Sequence, residues 1–276
     1  MGPGRAGNAF VRSWRAAGGS VQEVVSRDRI SAERAAREIG QGRPWGTADA
    51  QFDCDLLLLA VPDDVIESTA QTLAPRVSCR IAFHLSGALP ADLLAPLGKK
   101  GSSLGSLHPL RAFSGSSSES WSGALVAVEG DRRAVEAGLS VAAAIGAQGR
   151  EIPSASKPLY HAAAALAAGG SVALVSLATR IWTSLGLPDA ESRVALAGLA
   201  VNALQPLDQR DFEQALTGPI ARRDVTTVEA HQAALAQFPE ARAVYGALAR
   251  EILARTPGRG SEAEIRKAVP KVEPKA

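Results

Sequence analysis

The chain begins with a glycine-rich loop, in which Gly2, Gly4 and Gly7 form the pattern G-x-G-x-x-G. This pattern belongs between a β-strand and an α-helix, because the first glycine makes a tight turn and the second lets an anion approach the backbone. The third glycine lets the helix pack closely on the sheet. We therefore expect a pyrophosphate group to be held by the backbone of Gly2, Gly4, Arg5, Ala6 and Gly7.

The residues after this loop have the periodicity of a helix followed by a strand. Phe10 and Trp14 recur at helical spacing, and Val21 to Val25 form a short apolar segment. The alternative, a flexible glycine-rich tail, predicts no such order. The strand that should precede Gly2 is missing from the sequence. We expect the natural protein to begin upstream, with Met1 a misassigned start.

Ser26 and Arg27 stand at the end of this second strand, about 20 residues after the glycines. Sites for NAD place an acidic residue here, which bonds to the ribose hydroxyl. A carboxylate would repel a 2′-phosphate, whereas a hydroxyl and a planar guanidinium can hold one. The pair therefore predicts NADP (NADPH) as the cofactor. The alternative is that Arg27 is a solvated surface arginine.

Predicted strands and helices alternate as far as Pro153, which favours a doubly wound, mostly parallel sheet of the α/β class. Residues 55–61 form a continuous apolar run, as in a parallel strand covered on both faces. Beyond Pro153 the apolar spacing is helical. We expect a nucleotide-binding domain at residues 1–152, a smaller all-α domain at 153–255 and a disordered tail at 256–276.

Composition argues against several classes of partner. The formal net charge is only +2, without a basic stripe, which argues against nucleic-acid binding. The segment 162–178 comes closest to a membrane span, but its glycines and serines favour a buried helix. Cys54 and Cys79 lie in or beside predicted core strands, and we interpret them as free thiols in a reducing compartment. We therefore expect a cytoplasmic protein that binds neither nucleic acid nor membrane.

Polar residues follow three predicted strands, where ligands of open α/β sheets bind. Val61 and Pro62 end one strand, His84 and Ser86 follow the next, and His108 closes a third. We expect the first four residues to contact the cofactor and His108 to take part in catalysis. For each histidine the alternative is a structural role, in which the ring caps a strand or bonds to a loop carbonyl.

A helix predicted over residues 157–185 begins with Lys157, and His161 lies one turn later on the same face. A desolvated lysine can lose its proton, so either residue can serve as the proton donor that a hydride acceptor needs. The alternative is a solvated lysine beside a histidine packed in the core. The four histidines are far apart in sequence, so we expect no metal site. A serine hydrolase is also not expected, since no G-x-S-x-G motif occurs.

Several segments together point to a known family. They are the glycine loop, LLLLAVPDD (56–64), HLSG (84–87), GSLHPL (105–110), KPLYHAAA (157–164) and LTGPIAR (216–222). In these segments the chain resembles bacterial Rossmann-like proteins with a C-terminal domain of unknown function 2520, over residues 1–252. It is more distantly similar to pyrroline-5-carboxylate reductase, the deazaflavin-dependent NADP reductases and the 3-hydroxyacid dehydrogenases.

The resemblance implies an N-terminal NADP-binding domain and a helical second domain similar to that of 6-phosphogluconate dehydrogenase. It also implies a homodimer formed through the second domain. Two features depart from the family: the missing strand before Gly2, and an Ala-Ala-Gly-Gly segment at 167–170 where relatives carry a Ser-Asn pair. If that asparagine helps to place the substrate, the second departure favours a chain without catalytic activity.

These observations predict an NADP-dependent oxidoreductase that transfers hydride between the nicotinamide and a small carbonyl or imine compound. His84, Ser86 and His108 would line the nicotinamide side. Lys157 and His161 would orient the substrate and donate the proton. The alternative is a non-catalytic module that binds NADP and reports redox state to a partner.

Overall fold

The computed structural model describes residues 2, 4–116, 118–257 and 262–269. The chain divides into two compact units, Met1–Leu166 and Ala167–Ala276. Every strand of the described residues lies in the first unit, and the described part of the second unit is helical. The first unit extends beyond the predicted boundary at residue 152, because Lys157 at the start of the next helix is buried within it.

The strands of the described residues form two separate sheets. They are β1 (Glu23–Ser26), β2 (Arg43–Gly46), β3 (Phe52–Leu59), β4 (Val77–His84), β5 (Ser103–Pro109), β6 (Leu125–Gly130) and β7 (Gln148–Glu151). β1 and β2 pair in parallel. The other five strands lie in the order β3-β4-β5-β6-β7, and all pairs are parallel except β5 with β6. The predicted α/β class with a mostly parallel sheet is therefore confirmed.

Helices connect these strands in the first unit. They are α1 (Arg5–Ala16), α2 (Arg29–Ile39), α3 (Ile66–Leu73), α4 (Ala95–Gly98), α5 (Arg132–Ala144) and α6 (Lys157–Ala165). Aspartate side chains cap two of them: Asp28 accepts the amide of Ser31 at the start of α2, and Asp131 accepts the amide of Ala134 at the start of α5. These caps satisfy amides that the first turn of a helix leaves without a backbone partner.

Apolar side chains cover the five-stranded sheet on both faces. Adjacent residues of a strand point to opposite faces, so Ala82 and Phe83 of β4 belong to different clusters. Phe83 packs in the cluster that contains Phe10 of α1 and Trp121, whose rings meet edge to face with centroids 5.2 Å apart. Ala82 packs in the cluster that contains Ile66 of α3. β3 is covered in the same way, because Leu57 and Leu59 lie in the cluster of Ala82, whereas Leu56 and Leu58 pack against the cluster of Phe83. This double burial explains the apolar run predicted as a parallel strand at 55–61.

The two sheets are separated by a gap between β1 and β3. Among the described residues no strand pairs with either of these facing edges, and a cavity of about 260 Å³ is lined by residues of β1, β3 and α1. The amide of Gly2 donates to the carbonyl of Val25 at 3.0 Å, so the chain enters beside β1. The expected upstream start of the natural protein remains a prediction.

The described part of the second unit contains helices alone. They are α7 (Ser171–Ser184), α8 (Asp189–Leu204), α9 (Phe212–Ala215), α10 (Pro219–Arg222), α11 (Val225–Ala234), α12 (Pro239–Arg255) and α13 (Glu262–Ala268). Ile220, Val228, Leu253 and Ile265 form a buried cluster between α10, α11, α12 and α13. The predicted all-α region is confirmed.

Three details differ from the sequence-based expectations. The segment 162–178, expected to be a buried helix, is helical, but none of its residues is buried. The helix predicted over 157–185 is interrupted by a π-helical turn, Leu166–Gly170, which coincides with the Ala-Ala-Gly-Gly segment. Part of the predicted disordered tail is α13, which is ordered because Ile265 and Val269 are buried in the cluster of the second unit. The rest of that tail, residues 258–261 and 270–276, lies outside the described residues, as does Met1.

Candidate active site

The loop that follows β4 is fixed by the buried side chain of His84. Its Nδ1 accepts the amide of Ser86 at 3.1 Å, and its Nε2 therefore carries the proton and donates to the carbonyl of Pro90 at 3.0 Å. Burial lowers the pKa of His84 to about 4, with the nearby charge of Lys157 adding to the effect. The ring is thus neutral near pH 7, and both of its nitrogens are engaged within the loop. These bonds agree with the structural role given above as the alternative for His84, in which the ring bonds to a loop carbonyl.

Ser86 joins the loop after β4 to the segment after β3. Its hydroxyl donates to Oδ2 of Asp63 at 2.7 Å and accepts the amide of Leu89 at 3.0 Å. Asp63 directly follows Val61 and Pro62, the predicted cofactor contacts at the end of β3. The structure therefore places Val61, Pro62 and Ser86 near one another, at the carboxyl ends of adjacent parallel strands, where ligands bind in such sheets.

Lys157 is buried at the start of α6, with only 1% of the residue exposed. Its Nζ donates to the carbonyl of Ser86 at 3.0 Å and to Oγ of Ser106 at 2.5 Å, and it lies 3.6 Å from Oε2 of Glu129. Burial lowers the pKa of Lys157, and the charge of Glu129 opposes that shift. The solvated alternative for Lys157 is excluded, since its ammonium is buried, donates two hydrogen bonds within the protein and forms an ion pair with Glu129.

Glu129 is a site residue that the sequence motifs missed. It lies in β6, is 5% exposed, and accepts hydrogen bonds from Oγ of Ser106 at 2.9 Å and from the amide of Ala91 at 3.1 Å. The signal in the sequence is an acidic residue at the end of an otherwise apolar strand. Such a residue is buried only where a cation and hydrogen-bond donors meet it.

His108, Tyr160 and His161 form a cluster of rings at the end of β5. Nδ1 of His108 and the hydroxyl of Tyr160 are 2.9 Å apart and share a hydrogen bond. The rings of His108 and His161 meet edge to face with centroids 5.6 Å apart. Burial lowers the pKa of His108 to about 4, and the charges of His161 and Lys157 add to the shift. Burial also raises the pKa of Tyr160, so this hydroxyl keeps its proton.

The two histidine rings close over Gly87. A Cβ atom at residue 87 would lie 2.7 Å from Nδ1 of His161 and 2.8 Å from the ring of His108, so only glycine fits. Nδ1 of His161 is buried and has no hydrogen-bond partner among the described residues. A buried polar atom without a partner is costly, and a ligand atom that bonds to it would remove that cost.

The glycine loop has the close backbone contacts expected of it. Gly2 has φ +73°, and a Cβ there would lie 2.6 Å from the carbonyl oxygen of Ala60 at the end of β3. A Cβ at Gly7 would lie 2.8 Å from Cβ of Ala60. Helix α1 begins at Arg5, directly after Gly4. The amides of Arg5, Ala6 and Gly7 therefore form the first turn of a helix, which is a site that suits phosphate.

Ser26 and Arg27 end β1 in different environments. Ser26 is 9% exposed, whereas the side chain of Arg27 is 92% exposed and lies 3.8 Å from Asp28. Asp28, the nearest acid, uses both carboxylate oxygens to bond to the amide and hydroxyl of Ser31, which lowers its pKa. The acid is thus committed to capping α2, and Arg27 is left open to a ligand.

Family models match both parts of the chain. Residues 1–109 match the model of the Rossmann-like domain, and residues 124–252 match that of the domain of unknown function DUF2520. The N-terminal part of the chain is therefore a Rossmann-like domain. The chain also carries a C-terminal DUF2520 domain, as its sequence motifs predicted. Among proteins of curated function, none matches the sequence.

Solved structures of similar fold cover nearly the whole chain. Protein TM1727 from Thermotoga maritima is 24% identical, with a TM-score of 0.75 and coverage of 97% of each chain. BF3122 from Bacteroides fragilis, provisionally described as an NADP oxidoreductase, is 18% identical, with a TM-score of 0.72 and coverage of 92% of this chain and 96% of that one. A 1-pyrroline-5-carboxylate reductase from Streptococcus pyogenes is 12% identical, with a TM-score of 0.59 and coverage of 96% and 95%. At these identities the comparison establishes a shared fold.

Proposed function

We propose that this protein is an NADP-dependent oxidoreductase that transfers hydride between nicotinamide and a small carbonyl or imine compound. The observation that carries the proposal is the unpartnered Nδ1 of His161 above Gly87, at the same strand ends as the glycine loop. The names of two proteins of similar fold agree with it: an NADP oxidoreductase and a reductase of a pyrroline, which is a cyclic imine.

The cofactor would lie with its pyrophosphate on the first turn of α1. Gly2 and Gly7 leave the space, and the amides of Arg5, Ala6 and Gly7 supply the donors. Val61, Pro62 and the loop held by His84 and Ser86 would border the nicotinamide end. The nicotinamide, when bound, supplies or accepts the hydride.

Ser26 and Arg27 would select NADP over NAD. The guanidinium of Arg27 is exposed and would form a bidentate pair with a 2′-phosphate, since its ion pair with Asp28 is long, at 3.8 Å, and Asp28 also caps α2. NADP rather than NAD is therefore the cofactor that we propose.

His161 would hold the reacting oxygen or nitrogen of the substrate and donate the proton. Its Nδ1 is a buried donor or acceptor to which no described protein group bonds. His108 is the second catalytic histidine in this proposal, and its hydrogen bond to Tyr160 orients its ring beside His161. Lys157 would contribute by holding the Ser86 carbonyl, since its ammonium already donates to that carbonyl and to Ser106 and pairs with Glu129. The expected proton donor is therefore His161.

The test is turnover of a compound panel with NADPH, followed by absorbance and by cofactor fluorescence. The panel contains small ketones, aldehydes, and cyclic imines. We expect the wild-type protein to bind NADPH with saturation and to oxidise it with at least one compound. The variant His161→Ala should lose turnover and keep its NADPH affinity. Saturable binding of NADPH without turnover of any compound would favour the alternative function, a non-catalytic NADP-binding module.

That alternative is a non-catalytic NADP-binding module. It is favoured by the π-helical turn at Leu166–Gly170, where Ala-Ala-Gly-Gly replaces the polar pair of relatives. This module would bind NADPH through the same glycine loop and arginine. Its partner would be a protein that reads the bound redox state.

We also propose that the protein is a cytoplasmic homodimer that associates through its helical unit. Helices α7 and α8 expose several large apolar side chains, among them Val172 (72%), Val194 (72%), Leu199 (64%) and Val201 (64%). Exposed apolar side chains on two helices that pack against each other would suit such an interface. Among the described residues, the helical stretch Ser154–Ser184 is also apolar and long enough for a bilayer by length and composition alone. Binding to lipid vesicles in place of dimerisation would contradict the dimer.

A further inference from the structure

Lys157 and Glu129 form an ion pair that is buried on both sides. The side chains are 1% and 6% exposed, whereas the pair Arg132–Glu136 on the surface is 91% and 63% exposed. Removing two charges from water is costly, and apolar residues of similar size often serve stability equally well. We therefore interpret the buried pair by which parts of the site it holds in place, and not by its contribution to the free energy of unfolding.

The pair connects the parts of the site that must meet. Through Ser106 and Glu129 it fixes the start of α6 to β5 and β6, and through the carbonyl of Ser86 it fixes the same point to the loop after β4. Glu129 also accepts the amide of Ala91, at the far end of that loop. One network thus holds both ends of the loop that contains Gly87.

His161 lies one helical turn beyond Lys157 and projects from the same face of α6. Its ring rests on Gly87, the residue after Ser86. The position of the ring above the loop therefore depends on how far the first turn of α6 is held from the sheet. Lys157 sets that distance through its bonds to Ser106 and to the Ser86 carbonyl, and Glu129 supplies its counter-charge.

We propose that Glu129 is a positioning residue, which acts through Lys157 and Ser106 to hold His161 above Gly87. Its effect on turnover rests on the proposed function, whereas its effect on the ring does not. Lys157 in this proposal is a fixed cation and takes no part in proton transfer. In this proposal Glu129, which no sequence motif indicated, is as necessary for the site as Lys157, which the sequence did indicate.

Two variants test the network by different routes. Glu129→Gln removes the counter-charge, and Ser106→Ala removes the hydroxyl between the two charges with little change in volume. Glu136→Gln, on the exposed pair of α5, is the matched control. The first measurement is the set of imidazole ¹H–¹⁵N signals of His161, which needs neither cofactor nor substrate. The second is the rate of acetylation of Lys157 against that of the exposed Lys99 in the folded protein.

We expect both site variants to shift the His161 signals and to speed acetylation of Lys157, which is protected in the wild type. We expect NADPH affinity to stay unchanged and kcat to fall on the order of 10- to 100-fold, with a smaller change in KM. The control should match the wild type in every measurement. If Glu129→Gln does not fold, the measurements on Ser106→Ala alone test the proposal.

The proposal fails if both variants leave the His161 signals unchanged, or if wild-type Lys157 is acetylated as fast as Lys99. It also fails if turnover occurs and its kcat is unaffected by Ser106→Ala. A protein that never oxidises NADPH would contradict the proposed function alone, because the ring signals and the acetylation rates would still test the network.

Discussion

His161 packs its ring so closely on Gly87 that its Nδ1 lies 2.7 Å from the position of a Cβ atom at residue 87. We therefore predict that Gly87→Ala displaces this ring or the loop beneath it. A displacement of about 1 Å at a reacting group can cost about 100-fold in rate. The variant should lose turnover by that order and keep its NADPH affinity, measured by cofactor fluorescence.

Gly198→Ala is the matched control for this glycine. No described residue lies within 4 Å of an added Cβ at this position in α8, and alanine is the better helix former by about 1 kcal/mol. The control should keep its turnover and gain slightly in melting temperature. Equal activity of Gly87→Ala and the wild type would show that the ring contact has no role in the reaction.

Arg27 is predicted to set the preference for the phosphorylated cofactor. Its side chain is 92% exposed and, within the part of the chain that the structure describes, its ion pair is the long one with Asp28, so a 2′-phosphate would be its strongest partner. A hydrogen bond to a charged group contributes about 1.5–3 kcal/mol, which corresponds to roughly 10- to 100-fold in affinity. Arg27→Ala should weaken NADPH by this factor and leave NADH unchanged, as measured by calorimetry.

Arg132→Ala provides the control for the loss of one exposed positive charge, since the side chain of Arg132 is 91% exposed and pairs with Glu136 on α5. Arg132→Ala should leave the affinities for NADPH and NADH unchanged. If Arg27→Ala and Arg132→Ala weaken NADPH equally, the effect is one of net charge. If Arg27→Ala weakens neither cofactor, the 2′-phosphate is held elsewhere.

The lowered pKa of His84 predicts that the free energy of unfolding decreases in mild acid. The pKa of this residue is lowered from 6.5 to about 4 in the folded protein, mainly because burial disfavours the charged ring. As pH falls from about 6.5 to 4, the unfolded chain binds a proton that the folded protein does not, so the free energy of unfolding decreases. The contribution of this ring is on the order of 3 kcal/mol over that interval.

Thermal melts between pH 8 and pH 4 measure this loss. His84→Asn can still accept the Ser86 amide, but it has no titrating ring, so its melting temperature should vary less across that interval. The variant should be less stable than the wild type at pH 8, because it no longer reaches Pro90. A pH dependence identical to that of the wild type would assign the acid sensitivity to other groups, with His108 the first candidate.

The sequence predicted the parts of the site that depend on strand order. His84, Ser86 and His108 were identifiable because polar residues after apolar strands meet at one edge of a parallel sheet. Their partners were not identifiable, since Tyr160 is 52 residues from His108 and its contact depends on the packing of α6. Lys157 was identified as unusual, but its burial depends on Glu129, which no motif marks.

The segment predicted as a disordered tail, residues 256–276, also shows that contacts set by packing cannot be predicted from local sequence. Two apolar residues, Ile265 and Val269, are too few to give a periodic pattern, and the segment has the composition of a disordered chain. They are nevertheless buried against the cluster that contains Leu253, and that contact stabilises α13. Helices shorter than about 12 residues are marginal by themselves and depend on such packing. Local sequence therefore could not predict this helix.

The exposed apolar face of α7 and α8 predicts how the protein associates. Leu199 is 64% exposed in a single chain, so a charge there would cost a monomer little but would be buried without a partner in a dimer. Leu199→Glu should convert the dimer to a monomer in light scattering at micromolar concentration. Leu248→Glu on α12, where the leucine is 42% exposed, is the control and should stay dimeric. A wild-type protein that is monomeric at these concentrations would contradict association through this face.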